Sequence, residues 1–201
     1  MSSFVFPTLL AMPTSWQWGQ RSNVMLHTSP LSGNVQSLEL PGARWMLSLQ
    51  YSNLIDPDRG QLEAFLTQLR GMANRATIFD IVRSTPQGTM RGTMTVTGAI
   101  AAGATGCTVS ASGQGAKTLL RGDKLNIGGE LKMIVADATA DGSGNIVLTV
   151  EPPFRSAISN GASVAWQSPT ALFLLTSNDW RAAVQQGAWS NYSLDFMEVF
   201  A

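Results

Sequence analysis

The stretch Ala43-Arg-Trp-Met-Leu-Ser-Leu-Gln-Tyr51 decides how this chain folds. Its large apolar side chains stand at every second position: Trp45, Leu47, Leu49 and Tyr51. A period of two is that of a β-strand with one face against a core. The stretch therefore predicts a strand over residues 43–51.

The residues that follow this strand predict one helix and then a second strand. Asp56-Pro57-Asp58 is typical of a helix start, with a carboxylate cap and a proline in the first turn. Apolar side chains then recur at helical spacing: Leu62, Phe65, Leu66 and Leu69. Gly71 is a suitable stop. Residues 76–83, with Ile78 and Ile81, are predicted to form the second strand.

The C-terminal residues 189–200 predict a strand that returns to the same domain. Tyr192, Leu194 and Phe196 alternate with polar residues, and an apolar strand at the end of a chain needs sheet partners. The first 40 residues, with prolines at positions 7, 13 and 30 and another at position 41, are expected to be extended and irregular. Within them, Trp16-Gln-Trp18 fits a strand with one apolar face.

Between these parts, the composition changes near Thr85-Pro-Gln-Gly88 and becomes rich in Gly, Ala, Ser and Thr. Gly128-Gly129 is a hairpin signal, and six short strands are predicted: residues 93–97, 106–110, 124–127, 131–135, 146–150 and 163–166. Such spacing favours a small β-barrel or sandwich. The predicted organisation is a main domain of residues 1–88 and 168–201, interrupted by a barrel domain of residues 89–167.

The composition excludes two classes of protein. The chain has 201 residues, 13 Lys and Arg against 13 Asp and Glu, and a formal net charge of zero. With 44% hydrophobic residues it can build a core and is not disordered. Without surplus cations it is not a simple electrostatic nucleic-acid binder. Only 13% of residues are charged, which indicates either a surface of uncharged polar residues or a surface covered by other subunits.

Candidate catalytic residues are few. His27 is the one histidine, so a Ser-His-Asp triad would have to use it, and no Gly-x-Ser-x-Gly elbow is present. Cys107 is the one cysteine and has no partner at metal-ligand spacing. We predict a non-enzymatic protein without catalytic, metal or cofactor residues, in which His27 lies in a loop or interface and Cys107 in the core. A carboxylate pair for glycoside hydrolysis stays open, because such residues need only spatial proximity.

Four short motifs are weak matches. Asp56-Pro-Asp58-Arg-Gly60 resembles part of a calcium loop, but Arg59 stands where a ligand is expected. Arg121-Gly-Asp123 matches an integrin tripeptide and is predicted to be a turn. Asn191-Tyr-Ser193 matches a glycosylation acceptor within a predicted strand. Gly113-Gln-Gly-Ala-Lys117 lacks the rest of a phosphate-binding loop.

The cellular location of the chain is predicted from three features that its sequence lacks. A lone cysteine requires no oxidising compartment, the N-terminus lacks the basic start of a secretory signal, and no apolar run approaches the roughly 20 residues of a membrane helix. We therefore expect folding in a cytoplasm and no membrane contact.

Six tryptophans, at positions 16, 18, 45, 166, 180 and 189, are many for this length. They are expected to pack in the core and at the domain junctions, or alternatively to anchor an interface. Arginine outnumbers lysine ten to three, which suits interfacial pairing.

Taken together, three segments resemble the distal tail proteins of long-tailed bacteriophages. They are Leu38-Glu-Leu-Pro-Gly-Ala-Arg-Trp-Met-Leu-Ser-Leu49, Asp58-Arg-Gly-Gln-Leu-Glu-Ala-Phe-Leu66 and a strand ending Phe79-Asp80. The segment from Leu119 to Met133, followed by Glu151-Pro-Pro-Phe-Arg155, resembles a β-barrel module of phage tail proteins.

The predicted fold class is mainly β with one short helix and an inserted small β-barrel. The resemblance implies that the main domain is a tail-tube-like β-sandwich or barrel and that the protein has a structural role in the virion. The expected role is a ring subunit, hexameric in that family, which joins the tail tube protein to hub or tip proteins of the baseplate. The ring would leave a lumen through which DNA passes without specific binding during ejection. The alternatives are a tail tube or tail terminator subunit, a carbohydrate- or receptor-binding module, and a cell-wall hydrolase.

Overall fold

The computed structural model describes residues 1–200 and shows a mainly β chain with one α-helix in that range, which confirms the predicted fold class. The elements before the barrel are β1 (Ser3–Val5), β2 (Ser15–Arg21), β3 (Val24–Thr28), β4 (Val35–Glu39), β5 (Arg44–Leu54), α1 (Asp58–Leu69) and β6 (Arg75–Phe79). The later elements are β7 (Met94–Val96), β8 (Gly106–Ala111), β9 (Thr118–Leu119), β10 (Lys124–Ile127), β11 (Glu130–Ile134), β12 (Ala138–Thr139), β13 (Asn145–Glu151), β14 (Ser163–Ala165), β15 (Thr170–Leu175), β16 (Ala183–Gln185) and β17 (Trp189–Glu198).

The first compact unit is built on one sheet with the strand order β1-β6-β15-β17-β5-β2, in which β16 also pairs with β17. The long strand β5 lies between β17 and β2 and is antiparallel to both. The C-terminal strand thus returns to the first strands of the chain, as its alternating pattern predicts.

Helix α1 belongs to the same unit as this sheet. Its buried side chains include Leu62, Phe65, Leu66 and Leu69, and the ring of Phe6 meets Phe65 at 5.3 Å and Phe196 of β17 at 6.5 Å between ring centroids. The predicted carboxylate cap is wrong, because Pro57 is the capping residue and no side chain caps the first turn. The helix ends where predicted, with Arg70 and Gly71 in the left-handed conformation.

The second compact unit holds a closed barrel with the strand order β10-β11-β13-β8-β7-β14. Each of its six strands overlaps one of the six short strands that the sequence predicts, and Gly128-Gly129 joins β10 to β11. Its interior is filled by small and branched apolar side chains such as Val109, Leu125, Ile146 and Leu148, all fully buried.

The second unit comprises residues 79–171 and the short segment Leu40–Gly42, and the first unit comprises the rest, whereas the sequence analysis places the divisions at 88/89 and 167/168. Polar contacts explain why the main segment of the second unit begins at residue 79 rather than at residue 89. The Asp80 carboxylate pairs with the buried Lys124 Nζ at 2.6 Å. The Asp123 carboxylate accepts the backbone N–H groups of Gln87 and Gly88. Residues 80–88 therefore belong with the barrel, although no apolar periodicity shows it.

We expect Leu148→Ala to lower the free energy of unfolding of the barrel unit by about 2–5 kcal/mol, because it leaves a cavity in a fully buried site. The neighbouring Val147→Ala is the matched control: Val147 is 72% exposed on the same strand, so its cost should stay within about 0.5 kcal/mol. Urea denaturation followed by circular dichroism measures both. Equal costs for the two variants would contradict the described orientation of β13.

Candidate functional site

The candidate site is a two-stranded hairpin, residues 22–39, which we call the arm. Its strands β3 and β4 pair only with each other in the sheets of the described chain, from Val24 opposite Glu39 to Thr28 opposite Val35. Every residue of both strands is exposed. The arm continues the ribbon formed by β2 and β5, whose last pair is Arg21 and Arg44.

Both faces of the arm carry apolar side chains. Cross-strand register puts Met25 beside Leu38 on one face. Val24 and Leu26 share the other face with Val35. These side chains are 45–70% exposed, and Leu31, in the connection between the strands, is 98% exposed. A hairpin that faced only water would keep at most one apolar face, so the arm is built to be covered on both sides.

The chemistry of the arm limits what can cover it. The one charged residue of the arm is Glu39, at its end, so the arm has no cations to attract nucleic acid or an anionic surface. Its two strand edges expose unpaired backbone groups, which the hydrocarbon of a membrane does not tolerate. An isolated two-stranded hairpin is also only marginally stable in water. A protein surface that can bury side chains and pair backbone groups fits all three properties.

The sheet of the first unit has a second distinctive surface, the face opposite its apolar side. Two rows of directly paired residues cross it: Gln17, Ser48 and Asp195 in one row, and Ser15, Gln50 and Ser193 in the other. The Ser48 hydroxyl donates to the Asp195 carboxylate at 2.5 Å. These rows contain one carboxylate and no cation, and Arg21 and Arg44 end this face at the base of the arm. We call the two rows the polar face.

The edges of this sheet are open in the described chain. β2, seven residues long, pairs with β5 on one side only, and β1 pairs with β6 on one side only. β2 has no proline or lysine, the residues that commonly block further pairing at an edge. Strands of another chain could therefore extend the sheet at either end.

The structure places the two candidate catalytic residues in different units of the chain. His27 lies exposed on β3 of the arm, opposite Gln36. Cys107 is buried in the barrel, where burial raises the pKa of its thiol to about 11 and the nearby Lys132 opposes that shift in part. A thiol with so high a pKa is a poor nucleophile at neutral pH.

The short motifs are engaged in structural contacts. The Asp123 carboxylate of the integrin-like tripeptide is buried and accepts backbone N–H groups of Gln87, Gly88 and Leu120. Arg59 of the calcium-like segment pairs with Asp56 at 3.1 Å. Asn191 of the glycosylation-like tripeptide accepts the backbone N–H of Asn53 through its side-chain oxygen.

Some of the tryptophans are packed against other side chains, and others are partly exposed. Trp18 contacts Trp45 and Phe173 on the apolar side of the sheet, with ring centroids 6.2 and 5.5 Å apart. The Arg91 guanidinium lies 5.0 Å from the ring centre of Trp166, whose indole N–H donates to the Gly92 carbonyl. Trp189 is 49% exposed at the start of β17.

The buried charges of the barrel are also structural. The Lys132 ammonium is fully buried, 2.8 Å from Glu130 and 2.8 Å from the Pro153 carbonyl. Glu130 accepts the backbone N–H groups of Arg155 and Ser156. Burial alone would raise the pKa of Glu130, but the bonds from Lys132 and these N–H groups lower it. The pair therefore holds residues 153–156 against the barrel.

Sequence reasoning missed the arm. It placed residues 1–40 in extended, irregular structure with one strand at Trp16-Gln-Trp18. That strand is confirmed as part of β2, and the structure shows three further strands in this segment. The signal is nevertheless present: Val24-Met-Leu and Val35-Gln-Ser-Leu38 flank Ser29-Pro-Leu-Ser-Gly33, a turn composition between two apolar runs. The prolines at positions 7, 13, 30 and 41 obscure it.

The arm is the main indication of function, because neither comparison with known proteins nor a search of the described residues for metal sites and membrane helices gives another. Among residues 1–200, no group of three or more His, Cys, Asp or Glu side chains could hold a metal ion. The described part of the chain has no helix long and apolar enough to cross a membrane. No protein-family model and no curated protein sequence matches this chain.

We expect Cys107 to resist thiol reagents in the folded protein. With a pKa of about 11, its thiolate amounts to about 0.1% at pH 8, and its side chain is buried. After denaturation the thiol should react fully. Absorbance with a disulfide reagent at pH 8 measures both rates, and similar rates in the folded and denatured chain would contradict the buried position.

Proposed function

We propose that this protein is a structural subunit of a phage tail tip, which assembles with copies of itself into a closed ring around a channel for DNA. The observation that carries the proposal is the arm, whose apolar faces and free strand edges need a protein partner. Ring formation requires a heterologous interface that closes. The open edges at β1 and β2 supply two different surfaces for such an interface.

The polar face suits the wall of a channel. Its two rows present hydroxyl and amide groups with one carboxylate, so DNA phosphates would find no cation within the rows. Arg21 and Arg44 lie beyond them on the same face, at the base of the arm. If neighbouring sheets continue one another through β1 and β2, the polar faces of successive subunits form one surface. DNA could then slide along it without specific contacts.

The partners expected in this role are the tail tube protein on one side of the ring and hub or tip proteins on the other. The resemblance to distal tail proteins suggests six subunits. The low share of charged residues fits a subunit whose surfaces are largely covered after assembly. The protein would act in the virion and fold in the host cytoplasm.

Light scattering of the full chain across concentrations, with negative-stain imaging, tests the proposal. We expect closed rings with a central hole wide enough for duplex DNA. The double variant Leu26→Asp/Leu38→Asp puts a charge on each face of the arm and should raise the concentration for half-assembly at least tenfold. Val147→Asp changes an equally exposed apolar residue of the barrel and should leave assembly unchanged.

Two outcomes would contradict the proposal. A strict monomer at every concentration would exclude a self-assembling ring, and retention of that monomer on a glycan array would favour the carbohydrate-binding alternative. Assembly that the double variant leaves intact would show that the arm is not the assembly element. The melting temperature of each variant serves as the folding control, since the changed side chains are all exposed.

A further inference from the structure

Two arginines lie directly opposite each other at the end of the polar face. Arg21, the last residue of β2, pairs with Arg44, the first residue of β5. Residues that are directly paired in an antiparallel sheet project from the same side of it, with Cβ atoms about 5 Å apart. Arg21 is exposed and Arg44 is half-buried. The sheet therefore holds two positive charges side by side, which we call the arginine pair.

The charges of the arginine pair are not compensated within residues 1–200. In that range neither guanidinium forms an ion pair or a hydrogen bond. The carboxylate of the polar face, Asp195, accepts from Ser48, which follows Arg44 by four residues, roughly 13 Å along the strand. Glu39, the acid nearest to Arg44 in sequence, lies opposite Val24 on the arm. Like charges directly opposite in a sheet repel each other, so an anion bound between the two guanidinium groups would relieve this repulsion.

The surroundings of the arginine pair leave it accessible. The Arg44 guanidinium lies over the ring of the exposed Phe200, 4.7 Å from its centre. This contact attracts the cation to the ring and leaves the N–H groups at the edge of the guanidinium plane available. Two residues before Arg21, Gly19 lies opposite Met46 on the same face. A Cβ atom added to Gly19 would meet nothing within 4 Å, so the surface beside the pair is open.

The chemistry of two neighbouring guanidinium groups favours a phosphate group as the anion. Each guanidinium is a planar fork of N–H donors that matches the oxygens of a carboxylate or a phosphate. A carboxylate has two oxygens, which one fork can occupy. A phosphate group has oxygens on more than one side and accepts from both forks at once. Its negative charge is also matched by the two positive charges of the pair.

We propose that the arginine pair binds a phosphate group, and that in the assembled protein this group belongs to the backbone of DNA in the channel. The assignment to DNA rests on the proposed function, whereas the phosphate site itself does not. Phosphate contacts carry no base sequence, so the DNA still passes without sequence recognition. It meets cations at the arm end of the polar face and only hydroxyl, amide and carboxylate groups along the two rows.

Two probes of the full chain at low salt test the proposal. Inorganic phosphate should raise the melting temperature of the protein by about 3 °C or more relative to chloride at equal ionic strength, since a ligand of the folded state stabilises it. A short fluorescein-labelled DNA duplex should bind, as measured by anisotropy. The double variant Arg21→Gln/Arg44→Gln should lose the phosphate effect and bind the duplex about tenfold more weakly.

A matched control removes the same number of charges elsewhere in the first unit. Arg70→Gln/Arg181→Gln changes two exposed arginines that do not lie opposite another cation in the described sheets. This variant should keep both the phosphate effect and the duplex affinity. Equal loss in the two double variants would overturn the proposal, because net charge alone would then explain the binding.

The remaining outcomes separate the sources of the anion. An effect of phosphate without duplex binding would keep the phosphate site but overturn DNA as its source, in favour of a small phosphate compound. An equal rise of the melting temperature in acetate would overturn the proposal and assign the pair to a carboxylate of a protein partner. Light scattering of the same samples separates this inference from the proposed function: rings that bind neither probe would overturn the arginine site alone.

Discussion

The pairing of β5 with β17 is the constraint on which the first unit depends. It joins Arg44–Leu54 to Trp189–Glu198, the last strand of the chain. The pairing places Leu47, Leu49, Leu194 and Phe196 on one buried side and Ser48, Gln50, Ser193 and Asp195 on the other. Because a shift by one residue would exchange these two sides, the alternation in both strands fixes the register.

The same register explains where the interaction surfaces lie. β5 begins at the base of the arm, and its polar side carries the two rows of the polar face. One strand therefore relates two surfaces of different chemistry: an exposed apolar ribbon, and rows of hydroxyls and amides with one carboxylate. Because the arm lies at one end of the strand, the unit has a direction, as heterologous assembly requires.

The low share of charged residues in the chain can be related to features of both units. Within residues 1–200, the buried charges Lys124 and Lys132 are matched by Asp80 and Glu130 inside the barrel unit. The arm contains one charged residue, Glu39. Of the two explanations that the composition leaves open, a mostly uncharged polar surface is visible on the polar face, where Asp195 is the one carboxylate. Coverage by other subunits is what we propose for the arm.

The elements that could be predicted from the sequence are those in which apolar side chains recur with a clear period. The strand at Trp45–Tyr51, the helix at Leu62–Leu69 and the six barrel strands each bury an alternating or helical set of side chains. The end of the second strand was less predictable. β6 stops at Phe79 rather than at position 83, because Asp80 turns away to meet Lys124.

The candidate site was much less predictable. The arm strands bury neither face, so their apolar residues show no alternation with polar ones. The polar face collects residues of three separate strands through backbone pairing, which a single sequence does not specify.

Amide hydrogen exchange of residues 24–39 in the monomer and in the assembled protein tests most directly the claim that the arm is completed by a protein partner. An uncovered two-stranded hairpin protects its amides poorly. The account predicts fast exchange along the arm in the monomer and at least about a hundredfold slowing after assembly, while β5 is protected in both states. Equal exchange of the arm in the monomer and in the assembly would contradict it.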